Sequence, residues 1–350
     1  MEFHKKIKDI EDIETLFLPF ADDFHIHLRQ GIFCDSLVKE IKKGGINRVL
    51  VMPNLNPPIS SFKQVKEYYN KLKQNEPDVE YLMTMFLSNS INIDELEISK
   101  KEANMIGLKL YPNLVTTNSK EGINDIKSCY HIFSKMQELD LVLHIHGESP
   151  NSSVLDAESD FMMELINIHR DFPNLRIVLE HISTEDAVNT ILKCNENVVA
   201  TITPHHLQLT IDDVVNNSFN YCKPVAKNRK DREALRNIVK SGNKKFFLGS
   251  DSAPHPNYKK LGECCEAGIY TTPFLIPYLA HIFNEIGSLD KLENFVCKFG
   301  ADFFKLPVKT EKHIKIIKKK QLIPNDIAIG LFKVVPFLSG KIIDYTLEFV

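Results

Sequence analysis

Short apolar runs rich in Val, Ile, Leu and Phe recur along the chain: DDFHIHLR, NRVLVMP, EYLMTMFL, MIGLKLYP, LVLHIHGE, LRIVLEH, NVVATITP and KKFFLGSDS, eight in all. Between most of them lie segments that place apolar residues at helical spacing: Phe62 to Lys73, Ile123 to Leu139, Phe161 to Arg170, Thr184 to Lys193 and Lys230 to Lys240. Ser60-Ser61 and Ser183-Thr184 supply side-chain oxygens suited to N-caps. Nearly continuous apolar strands alternating with helices predict parallel βαβ units and a sheet covered by helices. Eight such units predict an α/β protein built as a closed (β/α)8 barrel of the TIM type. A doubly wound open sheet competes, but no GxGxxG follows the first strand and no GxxxxGK[ST] occurs. The polar residues that interrupt the runs sit mostly at their C-terminal ends, where a barrel of this kind collects its active-site groups. After residue 300 the pattern changes to a Lys-rich stretch, KTEKHIKIIKKK, and short apolar runs. Residues 1–300 are therefore read as the catalytic barrel and 301–350 as an extension packed on it, with no Pro/Gly/Ser linker between them.

Composition narrows the function. The chain of 350 residues is 43% hydrophobic and 25% charged, so it can bury a core of its own. Its 43 Lys+Arg nearly balance 46 Asp+Glu, so no field of one sign invites nucleic acid or an acidic membrane. The seven cysteines are odd in number and show no CxxC spacing, which points to a reducing compartment, the cytoplasm. The Cys264-Cys265 pair is expected among buried small hydrophobes. The first twenty residues alternate charged and apolar groups, so no secretory segment is expected, and no apolar run is long enough to span a bilayer.

The chemistry lies in the interruptions. His25 and His27, separated by one residue on a strand, present both imidazoles to the same side, a chelating spacing that solvent-facing histidines on an edge strand would also show. His146, His181 and Asp251 each end a different predicted strand, and imidazole with carboxylate suits zinc and similar divalent ions. Lys109 interrupts an apolar strand, where a bare ammonium would be costly. It is either paired with an acid at the barrel end or carboxylated. A neutral lysine that adds carbon dioxide becomes a carbamate whose two oxygens can bridge two cations. Two divalent ions against a carbamate, an aspartate and a hydroxide leave a positive charge that an anionic substrate would settle. Arg29, Asn54 and His255 lie just beyond these residues and form a candidate carboxylate clamp.

DFHIHLRQG, VMPNLNPP, GLKLYPN with TTNS after it, HIHGE, LEHIST, TITPHHL, GSDSAPHP and VPFLSGKIIDYTL fall in order from residue 22 to 345. Together they resemble the dihydroorotases, in the shorter monofunctional class within the amidohydrolase superfamily. The resemblance implies a binuclear zinc site, with one ion on His25, His27 and Asp251, the other on His146 and His181, and N6-carboxylated Lys109 bridging both. It implies that a hydroxide between the metals attacks the ring amide of dihydroorotate and that Asp251 acts as general base and then acid. In the other direction N-carbamoyl-L-aspartate closes to L-dihydroorotate with loss of water, a step of pyrimidine nucleotide synthesis. Arg29, Asn54 and His255 would grip the substrate carboxylate, Thr116 and Thr117 would close over it on a mobile loop, and backbone around Cys222 and Ala267 would meet the ring. The resemblance also implies a small-molecule substrate, a homodimer and a possible contact with aspartate transcarbamoylase.

Departures from the family pattern are RQG for RDG, TPHHL for TPQHL, and Lys223 where an apolar residue is usual. Lys223 is read as pointing to solvent, with tuning of substrate affinity as the alternative. His144 is read as a core or supporting histidine. His205 and His206, as adjacent strand residues, are expected on opposite faces and so unable to chelate together. Dihydropyrimidinase and allantoinase share the metal ligands but not the Arg29, Asn54 and His255 clamp. Non-catalytic dihydroorotase-like scaffolds have lost ligands, all of which this chain keeps.

Overall fold

The computed structural model describes residues 15–310 and 312–350, so most of the segment read for targeting, residues 1–14, lies outside the described residues. A short strand, β1 (Thr15–Pro19), comes first. It is followed by β2 (Ala21–Ile26), β3 (Ile46–Val51), β4 (Glu80–Phe86), β5 (Met105–Leu110), β6 (Val142–Ile145), β7 (Ile177–Leu179), β8 (Val198–Ile202) and β9 (Phe246–Leu248). Strands β2 to β9 pair in parallel in sequence order, and each coincides with one of the eight apolar runs. The ring closes just beyond the ends of β2 and β9. There Ile26 bridges Ser252, Asp251 N donates to His25 O at 2.9 Å, and His27 N donates to Ser252 O at 3.0 Å. Buried Asp23 reinforces this seam by accepting from the backbone N–H and the hydroxyl of Ser250. Gly249 permits the approach, because a Cβ there would lie 2.9 Å from His25 Cβ.

Helices fill the crossovers where the periodicity places them. Ser61 caps the helix Phe62–Asn75 by accepting from Gln64 N, and Thr184 caps Glu185–Lys193 by accepting from Ala187 N, each worth ~1 kcal/mol. One start differs from expectation. The helix predicted from Ile123 begins as a 3-10 turn at Ile126 and becomes α-helical over Tyr130–Glu138. Ile123 instead donates its N–H to Tyr111 O at 2.8 Å, which ties off a loop at the end of β5.

The N-terminal end of the barrel is packed shut by Phe24, Leu50, Leu82, Val142, Val178, Val199 and Phe247. Phe304 plugs this floor, its ring stacked 4.7 Å from Phe24, and burying such a side chain is worth roughly 1.5–3 kcal/mol. Fully buried Arg48 pairs with Asp22 at 3.0 Å and donates to Pro307 O at 2.9 Å. The floor of the barrel therefore includes residues beyond 300.

Farther on, β10 (His313–Leu322), the hairpin β11 (Ile327–Ile329) and β12 (Phe332–Val334), and β13 (Ile342–Phe349) complete the chain. β10 lies between β1 and β13 in an antiparallel sheet, so the extension recruits residues from the start of the barrel segment. Ile314, Ile316, Ile343 and Tyr345 are buried, while Lys318 to Lys320 are exposed on the same strand pair. Among the described residues no helix is long and apolar enough to cross a membrane.

Candidate active site

The C-terminal ends of six strands, β2, β3, β5, β6, β7 and β9, converge on one cavity. Among the residues lining it are His25, His27, Arg29, Asn54, His146, His181 and Asp251. His27 Nε2 lies 3.0 Å and His25 Nε2 3.5 Å from Asp251 Oδ1, and the donor atoms of these three residues all lie within 4.8 Å of one another. The His181 ring is 4.9 Å from that of His25 and 4.8 Å from that of His146. Arg29, His181 and Asp251 all have left-handed backbones, with φ of 61°, 43° and 45°. Such strain costs about 1–3 kcal/mol at a non-glycine residue and accumulates where function requires it.

Carboxylates behind the histidines set the ring orientations. Glu180 accepts from His25 Nδ1 at 2.9 Å, from His144 Nδ1 at 2.6 Å and from Thr201 Oγ1 at 2.6 Å. Burial opposes its charge, yet His25 and His144 hold its carboxyl below the ordinary range. Glu148 accepts from His146 Nε2 at 2.7 Å, which leaves Nδ1 of that ring with a free lone pair. Burial lowers the pKa of His146 and His181, and brings His27 down to about 4, so these rings are neutral and able to act as ligands at neutral pH. Asp251 is also pushed below its ordinary value: burial opposes ionisation, but His27 and His25 outweigh it.

Lys109 is fully buried, and its Nζ has no hydrogen-bond partner. Desolvation brings its pKa down to about 8, with Glu180 and Asp251 pulling the other way, so a usable share of the amine is neutral. The pairing with an acid that the sequence left open is not made. His181 Nδ1 is likewise buried without a partner. Two orphaned nitrogens beside three further imidazoles and a carboxylate form a donor set that fits divalent metal, and a neutral amine fits carboxylation.

On the substrate side, Arg29 Nε donates to Pro254 O at 3.0 Å, and its Nη2 lies 2.9 Å from His255 Nε2. The same His255 nitrogen lies 3.0 Å from Ala267 O, and a neutral ring can serve only one of these partners at a time. His255 stands behind Arg29 and lines the adjoining cleft rather than the cavity itself. Thr116, Thr117 and Ala267 line the cavity. Cys222 does not: its thiol is turned to Pro224 O at 3.1 Å, so only its backbone is left for the ring contact that the resemblance implies.

Three expectations need correction. Lys223 does not point to solvent. It lines the cavity, and its ammonium donates to Val115 O at 2.6 Å, because the carbonyl of the facing loop lies within reach of its long stem. His205 and His206 are not on a strand but in the short helix Pro204–Gln208, which Thr203 caps, and their rings come within 4.6 Å of each other. With Cys222 they form a close group, but His206 Nε2 and the Cys222 thiol both donate to Pro224 O. Cys264 is exposed and Cys265 half-buried, so this pair lies outside the core. His144 is buried and serves Glu180, in keeping with a supporting role.

Residues that the sequence did not single out complete the site. Glu180 and Glu148 sit inside the quoted motifs LEHIST and HIHGE, where adjacency to a histidine was the available signal. Tyr111 lines the cavity, 5.0 Å from Lys109 Nζ to the ring centre. Lys260 donates to Tyr221 O, Glu266 O and Gly268 O, stapling together the two segments that carry Cys222 and Ala267. Nothing in local sequence marks it.

A model of the amidohydrolase family matches residues 20–311, the barrel and its floor. Within that class, the chain is 39% identical over 361 aligned positions to the dihydroorotase of Saccharomyces cerevisiae, covering 96% of this chain and 99% of the relative. It is 40% identical over 343 positions to the dihydroorotase of Coxiella burnetii, covering 95% and 97%. A crystal structure of dihydroorotase in complex with 5-fluoroorotic acid from Saccharomyces cerevisiae matches with a TM-score of 0.93 at 38% identity, over 96% of this chain and 99% of that one. The chain belongs to the dihydroorotase family of amidohydrolases.

Proposed function

We propose that this protein catalyses the reversible cyclisation of N-carbamoyl-L-aspartate to L-dihydroorotate with loss of water, a step of pyrimidine nucleotide synthesis. The observation that carries the reading is the meeting of His25, His27, His146, His181 and Asp251 with the Arg29 guanidinium in one cavity. The related structure with bound 5-fluoroorotic acid, a pyrimidine carboxylic acid, supports the same class of ligand.

In this reading His25, His27 and Asp251 would hold one zinc ion and His146 and His181 a second, with carboxylated Lys109 serving as a further ligand. Lys109 reaches that form when its neutral amine bonds to carbon dioxide and releases a proton. When bound, such ions would supply Lewis-acid activation of water and of the substrate carbonyl. Arg29, with Asn54 and His255, seats the substrate carboxylate and thereby orients the ring amide. Asp251 lines the cavity beside His27 and moves the proton. In ring opening it takes a proton from the attacking water and delivers it to the departing ring nitrogen, and in ring closure the transfers reverse. Glu180 and Glu148 keep their histidines in the ligating tautomers. The seven free cysteines support a reducing compartment, the cytoplasm.

A substrate comparison tests the reading against the sibling amidohydrolases. The protein is expected to turn over L-dihydroorotate and to leave 5,6-dihydrouracil, which has the same ring without the carboxylate, essentially untouched. Comparable turnover of both would remove the carboxylate clamp from the account.

A further inference from the structure

Two cationic side chains line the cavity where the carboxylate clamp and the histidines meet, and Arg29 is already engaged with Pro254 O and His255. The other is Lys223. Its ammonium reaches the loop at the end of β5 and donates to Val115 O at 2.6 Å. That loop lines the cavity with Thr116 and Thr117. It is folded largely on itself. Ser119 Oγ accepts from Thr116 N and donates to Thr116 O, Leu114 N donates to Ser119 O, and Leu114 and Asn118 take left-handed φ of 61° and 57°. Among the described residues, the hydrogen bonds between residues 114–121 and the chain outside 111–123 run to Asn54 and to Lys223. Asn54 donates to Thr117 O at 3.1 Å, and Asn118 donates to Asn54 O at 2.9 Å. The loop is therefore held at two points, one of which is a single charged side chain on a long flexible stem.

We propose that Lys223 is a positioning residue that fastens this loop over the cavity and so sets substrate affinity and residence, without taking part in the chemistry at Asp251. The inference rests on the reading of the cavity as the substrate site. The bond is charge-assisted and partly buried, so it is strong enough to bias the loop. It also ends on a backbone carbonyl, which makes no demand on the loop side chain at position 115. A side chain of similar length without the ammonium leaves Val115 O unpaired on that side and frees the loop to open. Arginine retains a donor of similar reach.

The test compares Lys223→Met and Lys223→Arg with the parent, each metal-loaded. Amide hydrogen exchange is followed over residues 113–121 without substrate, and KM and kcat are measured for L-dihydroorotate. In Lys223→Met, exchange across the loop is expected to quicken roughly tenfold, with metal content and exchange in the barrel strands unchanged. The kinetic effect should fall on KM rather than kcat, and Lys223→Arg should restore both readouts towards the parent. Unchanged loop exchange in Lys223→Met would overturn the proposal, whatever happens to KM, because a raised KM alone would mean direct contact with substrate. If the parent fails to turn over dihydroorotate, the proposed function fails, and the exchange comparison still decides whether Lys223 fastens the loop.

Discussion

The Glu180 carboxylate accepts from His25 Nδ1 at 2.9 Å, and this contact decides which nitrogen of His25 faces the cavity. A carboxylate only accepts, so Nδ1 donates to Glu180, and Nε2 is the nitrogen turned to the cavity, 3.5 Å from Asp251 Oδ1. Loss of such a support typically costs about 10- to 100-fold in metal affinity. Glu180→Gln is therefore expected to weaken zinc binding by that order while far-ultraviolet circular dichroism stays that of the parent. Parental affinity in a chelator competition would mean that His25 is oriented by something else.

Lys109 presents the opposite situation, a buried amine with no hydrogen-bond partner. Lys109→Ala is expected to lose most bound metal and activity, and short carboxylic acids added to the solution should partly restore both by occupying the vacated space. Mass spectrometry under native conditions should find one carbon dioxide on the parent and none on the variant. Full metal content and turnover in Lys109→Ala would remove the carbamate from the account.

Arg29 separates substrate binding from metal binding. Its guanidinium lines the cavity but is not a metal donor, so Arg29→Met should raise KM for dihydroorotate roughly 10- to 100-fold, the scale of a charge-assisted hydrogen bond. Zinc content, read by elemental analysis, should be unchanged. Equal losses of metal and affinity would contradict the division of labour between the clamp and the metal donors.

The buried histidines also make a statement about pH. Burial lowers the pKa of His144, His146, His181 and His205, and brings His27 and His206 to about 4 and His255 to about 2. In the unfolded chain histidine titrates near ~6.5. Below that pH the unfolded chain therefore binds protons that these folded rings refuse, and stability falls as pH drops. Asp22 and Asp23, raised by burial to about 7 and about 6, act in the opposite direction but are outnumbered. Urea midpoints of the metal-free protein should accordingly decline from pH 7 to pH 5. A flat or rising midpoint would show that these rings are protonated in the fold.

What the sequence made legible was periodic or motif-bound. Apolar runs marked all eight barrel strands because each is buried, and Ser61 and Thr184 marked helix starts because a cap is a local interaction. His146, His181 and Asp251 could be read because each stood at the end of an apolar run, His25 and His27 by their one-residue spacing, and Lys109 because it interrupts a run. The contacts that were missed join residues far apart in the chain. Lys223 meets Val115 108 residues away, and Phe304 plugs a floor begun at Phe24, pairings that no local pattern encodes. His205 and His206 were misplaced for a related reason: Thr203 and Pro204 start a helical turn immediately after β8, so an alternation argument valid for a strand did not apply. β1 escaped notice because it is a five-residue edge strand ending in proline, whose partner, β10, lies near the other end of the chain.

In the proposed reading this cavity interconverts dihydroorotate and carbamoyl aspartate, with Asp251 moving the proton. The direct measurement is ring opening of L-dihydroorotate by the zinc-loaded protein, followed by absorbance, with cyclisation of N-carbamoyl-L-aspartate followed in reverse and both repeated with Asp251→Asn. The account predicts turnover in both directions by the parent and its loss in both directions in the variant. A parent shown to hold two metal ions yet inactive in both directions, or an Asp251→Asn protein as fast as the parent, would contradict it.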